Sequence, residues 1–399
     1  MALLLPLSGP AAAVGRDLLD AATLALFDSP ETDLVLRPRD TSGTGEGARA
    51  AAREILGEGI RLVIGPLFAG STRALAPLVR PARTMVLSLS NDAAVAAPPV
   101  HVLGFRPEEQ LERILRHARA EGLARIALLA PDDAYGRRVV EAWRRLAPVL
   151  GLDPALVLTY GDDETELSDR LRPFTAYDAR HRALAARIAE LEVRADDPAV
   201  RRELQELRSR DTWGPPPFDA VLIADGGLRL RSVAALLRYY DAGAGTVRLL
   251  GTARWLEGDG EKALVRRPEF AGARIAAPDL DLARAFAARF RDIFGRDPAP
   301  VAVLAYDAVA AVVAVRRRAD RLDPRALLTP RGFRGFAGIL RLRPDGTAQH
   351  GLAVYEVGPA GLELVDPAPT RFDFAAGTPS RGGSSTVANQ KRTMASATR

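Results

Sequence analysis

The pattern Gly43-x-Gly45-x-x-Ala48 comes nearest to a known chemistry, because it follows an apolar stretch, opens a helical pattern and formally fits the fingerprint that cradles a dinucleotide pyrophosphate. That chemistry also needs an acidic residue about 20 positions on, at the end of the next strand, to hold a ribose. Gly65-Pro66 stand there instead, so the pattern reads as a glycine-rich helix start at the mouth of a cleft. Nucleophilic catalysis has less to work with. The histidines are His101, His117, His181 and His350, and no G-x-S-x-G elbow occurs. His117 and His181 fall on the polar faces of predicted helices, where a solvated imidazole is expected. No H-E-x-x-H, paired-histidine or calcium-loop spacing is present, nor a G-x-x-x-x-G-K-[ST] loop, so neither a metal nor a cofactor is expected. Asp132-Asp133 and Asp162-Asp163 are adjacent acids whose side chains point apart, which suits caps or turns better than a two-carboxylate catalyst. There is no cysteine, which excludes disulfides and thiol chemistry within the chain. No residue is assigned a catalytic role.

What remains is a set of small polar and aromatic residues, each just after a predicted strand: Ser8 with Gly9, Ser71, Thr72, Ser90, Asn91, Tyr135, Asp225 and Trp255. Hydroxyls, helix-start N–H groups and an aromatic wall are what a cleft needs to hold a small anionic or zwitterionic ligand without reacting with it. Together they favour a binding protein over an enzyme.

Such residues must be delivered by strands that end along one edge. Residues 2–7 are a short apolar run closed by Ser8-Gly9-Pro10, and a helix is predicted over 14–27 from the stripe Val14, Leu18, Ala21, Ala22 and Ala25. Strands are expected at 34–36, 62–64 and 85–87, and helices at 48–56 and up to about 79, the latter capped by Ser71 or Thr72. A strand that begins at residue 2 needs neighbours on both sides, so the first unit should sit mid-sheet, at the switch in strand order where open α/β sheets bind ligands. A second series follows. Residues 100–105 are extended, 108–120 and 136–150 helical, and 126–129, 155–159, 220–223 and 247–250 strands, with a helix at 231–240. Helices at 283–294 and 301–318 and small strands at 338–342, 353–357 and 362–365 complete the pattern, which is that of a doubly wound parallel α/β protein with two lobes.

Residues 176–212 break the rhythm. Leu184, Ile188 and Leu191, then Val200, Leu204 and Leu207, repeat at helical spacing around Asp197-Pro198, which predicts an inserted hairpin of two amphipathic helices. Its apolar stripe is expected to pack on its own lobe, with docking of a partner as the alternative. The tail, 375–399, holds Gly382-Gly383-Ser384-Ser385 and no apolar period, and is expected to be disordered.

With 399 residues, 47% of them hydrophobic and 26% charged, the chain has enough material for two or three globular domains. Its net charge of +5 is concentrated in the tail, where four basic and no acidic residues leave +1 for the rest. That balance gives a nucleic-acid partner little support. No apolar run reaches the roughly 18 residues needed to cross a bilayer. Met1 abuts the first strand, so a leader is expected to have been removed from this chain.

The runs Leu4-Leu5-Pro6-Leu7-Ser8-Gly9-Pro10, Val63-Ile64-Gly65-Pro66 with Gly70-Ser71-Thr72, Asp133-Ala134-Tyr135-Gly136, and Gly335-Phe336-x-Gly338 with Asp345-Gly346 resemble the branched-chain amino-acid-binding proteins of the type I periplasmic-binding-protein fold. Within that fold, residues 36–40, 68–72, 88–92 and the hairpin look most like bacterial penicillin-binding protein activators. The resemblance implies two doubly wound, Rossmann-like lobes joined by three crossovers near Gly104, Asp279 and Pro330. Lobe 1 would comprise 1–104 and 280–330, and lobe 2 105–279 and 331–374. It also implies a periplasmic protein, of a kind often anchored to the outer membrane as a lipoprotein, that contacts a peptidoglycan synthase. The alternative is a solute receptor handing a small ligand to an ABC-type transporter permease. In the amino-acid binders the positions of Ser71 and Thr72 grip a ligand carboxylate, Ser90 lies in the following segment and Tyr135 matches the aromatic of the far lobe. Where those binders place an acid for the ammonium group, this chain has Gly251-Thr252-Ala253-Arg254-Trp255, and an arginine there opposes an ammonium.

Overall fold

The structure, a computed structural model, describes residues 1–30, 33–258, 260–319 and 321–372. The expected disordered tail at 375–399 lies outside them. The chain begins with β1 (Ala2–Leu5), α1 (Ala12–Phe27), β2 (Arg37–Asp40), α2 (Gly45–Gly57), β3 (Leu62–Ile64), α3 (Ala69–Val79), β4 (Met85–Ser88) and β5 (Val100–Val102). These strands form one parallel sheet in the order β2-β1-β3-β4-β5. Strand β1 therefore sits inside the sheet with a neighbour on each side, and its four residues are all buried, as an interior parallel strand covered on both faces requires. Leu3 and Leu5 face one core with α1, while Leu4 faces the other with α2 and α3.

The strand expected at 34–36 is displaced. β2 takes up the polar run Arg37-Pro38-Arg39-Asp40, registered from Ala2 opposite Arg37 to Leu5 opposite Asp40. As the edge strand it is selected by backbone pairing rather than burial, and its charges discourage further strand addition. Arg37 pairs with Glu58 at 2.8 Å and Arg39 with Glu54 at 3.0 Å, while Leu34 and Leu36 pack half-buried against the first core.

The second series comprises α4 (Pro107–Ala120), β6 (Ile126–Pro131), α5 (Ala134–Val149), β7 (Val157–Tyr160), α6 (Glu164–Phe174), α7 (Tyr177–Glu192), α8 (Pro198–Leu207), β8 (Ala220–Ile223), α9 (Gly227–Tyr239), β9 (Arg248–Thr252), α10 (Gly260–Val265) and β10 (Arg274–Ala277). After α11 (Leu280–Phe294) and α12 (Ala302–Arg316) come β11 (Phe333–Gly335), β12 (Gly338–Leu342), β13 (Ala348–His350), β14 (Ala353–Val357) and β15 (Leu362–Asp366). The second sheet runs β15-β14-β10-β9-β8-β6-β7, parallel from β10 to β7, with β14 and β15 added antiparallel. Gly15 and Gly136 serve the same purpose in the two lobes. A Cβ on either would stand 1.9 Å from Pro6 O or 1.7 Å from Pro131 O, so each helix start can press on the end of its preceding strand only with glycine.

The small strands correct the expected partition. β11, β12 and β13 form their own antiparallel sheet, and Leu340, Leu342 and Ala348 join the first lobe's core. Residues 333–350, expected with the second lobe, thus pack with the first, and the third crossover falls between β13 and β14 rather than near Pro330. Asp307 supplies a reason. Its buried carboxylate, on the all-round apolar helix α12, accepts the N–H groups of Phe336 and Ala337 at 2.8 and 2.7 Å and fixes the β11–β12 turn there.

His117 is a second correction. The helix face that reads as solvated meets Asp366 at the end of β15, and His117 is buried with Nδ1 3.0 Å from Asp366 Oδ2. The hairpin forms as α7 and α8, turned at Asp197, which accepts the N–H of Ala199 at 2.8 Å. Its apolar stripe closes on itself: Leu184, Leu191, Val200, Leu204 and Leu207 make a separate core. The base is tied to the lobe by the buried Arg180, which donates to Gly214 O, Tyr240 O, Thr212 Oγ1 and Asp241 O.

Candidate functional site

The carboxyl ends of β1 to β4 bring one rim together. Ser8 and Gly9 are exposed there, and Ser8 Oγ donates to Ser42 Oγ at 2.9 Å. Asp40, at the end of β2, organises them. Its Oδ1 accepts the N–H groups of Leu7 (2.8 Å), Ser8 (3.2 Å) and Ser42 (2.7 Å), and its Oδ2 accepts the Ser42 hydroxyl at 3.2 Å. Partial burial works to raise its pKa, but the hydrogen bonds from Ser8, Ser42 and Leu7 prevail and bring it down to about 2. Ser42 adopts φ +48°, a left-handed turn stabilised by these bonds. Phe68, 41% exposed, lies against Gly43 and supplies the apolar surface of this rim.

Ser71 and Thr72 do not cap α3. The helix starts at Ala69 behind Phe68, which makes no side-chain cap, and both residues lie buried within its first turns. Ser71 Oγ donates to Thr44 O at 3.1 Å, binding α3 to the start of α2. Thr72 Oγ1 lies 3.1 Å from Phe68 O and 2.7 Å from Ser88 Oγ. Ser90 is buried too, its hydroxyl accepting the N–H of Asp92 at 3.1 Å. Asn91 is exposed at the edge between the lobes, where its carbonyl receives Arg138 of α5 at 3.4 Å. Arg138 also lies 3.8 Å from Asp92, so this side chain spans the lobes.

In the second lobe Tyr135, half-buried, stands with its hydroxyl 3.5 Å from Thr252 Oγ1 and the Arg254 guanidinium 4.3 Å from its ring centroid. Burial pushes the Tyr135 hydroxyl pKa up, which keeps it a neutral donor. Asp225 is buried beside them. It accepts the Tyr160 hydroxyl at 3.0 Å and pairs with Arg229 at 3.1 Å and Arg254 at 3.7 Å. Arg229 reaches on to Asp162 and Asp133. Trp255, expected as a wall of the cleft, is a core residue. Its indole N–H donates to Ile223 O at 2.8 Å and its ring packs edge-on against Phe270, because the turn after β9 folds inward.

The structure thus gathers Ser8 and Gly9 on one rim, Tyr135 on the other, and Asn91 at the edge, while Ser71, Thr72, Ser90, Asp225 and Trp255 lie inside their lobes. The reading of the sequence missed Asp40, Ser42, Arg138 and Arg229. Asp40-Thr41-Ser42-Gly43 after a strand is a turn signal that could have marked the first two. Nothing local distinguishes Arg138 or Arg229 among so many arginines. Among the described residues no group of three or more His, Asp or Glu is arranged to hold a metal, and no helix is long and apolar enough to cross a membrane.

Residues 1–180 match the periplasmic binding protein family. An uncharacterized protein of Rickettsia prowazekii is 25% identical over 146 residues, which are 37% of this chain and 39% of that protein. The penicillin-binding protein activator LpoA of Vibrio cholerae is 29% identical over 153 residues, 36% of this chain and 25% of LpoA. The matched stretches thus span well under half the length of both relatives. Among solved structures, the branched-chain amino-acid ABC transporter periplasmic ligand-binding protein of Burkholderia xenovorans superposes with a TM-score of 0.66 at 16% identity, covering 92% of this chain and 94% of that one. The ABC transporter substrate-binding protein of Sphaerobacter thermophilus gives 0.65 at 16%, covering 92% and 97%. The chain has the type I periplasmic-binding-protein fold.

Proposed function

We propose that this protein is a non-catalytic periplasmic regulator of the penicillin-binding protein activator kind, which acts by contact with a peptidoglycan synthase. The observation that carries this reading is the state of the cleft. The hydroxyls at the positions that would grip an amino-acid carboxylate, Ser71 and Thr72, are engaged within their lobe, and the side that would meet an ammonium group presents Arg254. The likeness to LpoA supports the same reading. The hairpin α7–α8 needs no partner to bury its stripe and is free to present a polar outer face. Titrating the purified chain into a synthase assay with lipid-linked precursor tests the proposal. Synthesis should rise and saturate, should fall back with Arg201→Glu plus Arg202→Glu on the exposed face of α8, and should be indifferent to Ser8→Tyr at the cleft rim. No stimulation by the intact chain would sink the activator reading.

One observation favours a second reading, a transport receptor for a small anion. Ser8, Ser42 and Phe68 on one rim and Tyr135 with Arg254 on the other are a set of donors and apolar surface suited to a carboxylate without an amine. A thermal-shift panel of amino acids, simple carboxylates and peptidoglycan fragments separates the two, since a ligand of the native state raises its melting temperature. A shift with a carboxylate, lost in Arg254→Gln, would put the receptor reading first.

A further inference from the structure

On the hinge side, away from the cleft, the chain encloses a groove of about 780 Å³. Helices α4 and α5 of the second lobe form one wall, the turn between β12 and β13 the other, and residues 366–372 the end. Seven arginines and five carboxylates line it, and most of them are already paired. Arg106 meets Glu109 at 2.8 Å, Arg113 meets Asp366 at 2.6 Å and Arg116 meets Glu112 at 2.7 Å.

Two guanidinium groups on opposite walls lack a close carboxylate partner. Arg145 of α5 and Arg343 of the β12–β13 turn make no side-chain hydrogen bond or ion pair with any other described residue. Arg343 also stands close enough to Arg341 that burial and its like charge together hold the Arg341 guanidinium below its ordinary pKa. Arg341 stacks on Phe372 at 4.5 Å and donates to Gln349, which fixes it in place beside Arg343. Asp345, two residues from Arg343, spends its Oδ1 on Thr347 and is attracted to Arg343 through space, and Glu108 adds a buried Oε2 with no hydrogen-bond partner. Beneath lies His350, its side chain fully buried, with Nδ1 3.1 Å from Glu109 Oε2 and Nε2 without a partner. Repelling cations held on two facing walls, over a floor of incompletely satisfied polar groups, are arranged for a counter-ion.

We propose that this groove is a second binding site, for a small polyanion of the di- or tricarboxylate or phosphate class, held between Arg145 and the Arg341–Arg343 pair. The bound ion bridges the second lobe to the hinge sheet that packs with the first, and so fixes the angle between the lobes. The site works whether or not the cleft itself holds a ligand.

Isothermal titration of the full chain with citrate and with pyrophosphate, at low salt and neutral pH, tests it. One saturating event is expected, weakened roughly tenfold or more by Arg145→Glu and by Arg343→Glu, the loss of one charge-assisted contact, and unchanged by Arg254→Gln in the cleft. The tighter probe names the chemical class. Absence of binding up to millimolar probe, equal affinity in all variants, or a loss confined to Arg254→Gln would each overturn the proposal. Saturation should also narrow the interlobe distance distribution between dyes on cysteines introduced by Arg53→Cys and Arg144→Cys. Binding without that narrowing would refute the bridging role.

Discussion

Asp40 carries more of the cleft rim than any residue singled out by its position after a strand, because one carboxylate ties the ends of β1 and β2 through four hydrogen bonds. Its pKa is depressed to about 2 from 3.8, so its contribution is present above about pH 4 and lost as pH falls toward 2. The group is exposed, so solvent screening limits that contribution to ~1 kcal/mol. Asp40→Asn should flatten the acid limb of a denaturation-against-pH profile and speed amide exchange at Leu7 and Ser8. An unchanged limb would remove Asp40 from this role. Asp307 has the opposite sign. Burial overcomes its two backbone hydrogen bonds and raises its pKa to about 6, so the native state binds this proton more tightly than the unfolded chain. Its contribution is full below pH 4 and is lost as pH rises through 6, a change on the order of 3 kcal/mol. Urea denaturation at pH 4.5 and 6.5 should show about 2 kcal/mol of that change in the wild type and its disappearance in Asp307→Asn.

Among the elements, the hairpin separates local from global stability. Its core is its own, and its attachment runs through Arg180, whose planar fork serves four acceptors at once. Lysine cannot reproduce that geometry, so Arg180→Lys should loosen α7 and α8 by ~2 kcal/mol while leaving the sheets intact. Hydrogen exchange is the measurement: faster exchange confined to 177–214 is expected, and loss of protection across β8 and β9 would mean that the hairpin supports the whole lobe. Leu204→Ala should act in the same place, opening a cavity in the small core at a cost of roughly 2 kcal/mol or more.

At the scale of the whole molecule, Arg138 crosses from α5 to Asn91 and Asp92 and holds the two rims near each other. The chain has no cysteine, so dyes can be placed uniquely at Arg53→Cys and Arg144→Cys. With Arg138→Ala added, the distance distribution should broaden toward longer separations. An unchanged distribution would mean that the crossovers alone set the angle. The crossovers also explain why the hinge collects buried charge: Arg106, Glu109 and His350 sit where the chain leaves one sheet for another, and backbone and side-chain partners come from both lobes.

The sequence by itself determined the two α/β lobes, the interior place of β1 and the helical hairpin, because each rests on a local period or on a run of apolar residues that only one kind of element can bury. It also located Ser8, Gly9, Tyr135 and Asp225 at the ends of strands, since turn chemistry follows immediately on each run. Tertiary structure decided which of the candidate residues face the cleft. Ser71, Thr72 and Trp255 have the same sequence signature as the exposed ones, and only the packing of α3 on α2 and of the β9 turn on Phe270 turns them inward. The placement of β11–β13 with the first lobe was likewise beyond reach of periodicity. Three short strands carry no sign of which core they will join, and that choice was made by a carboxylate at Asp307 accepting two backbone N–H groups nearly thirty residues away.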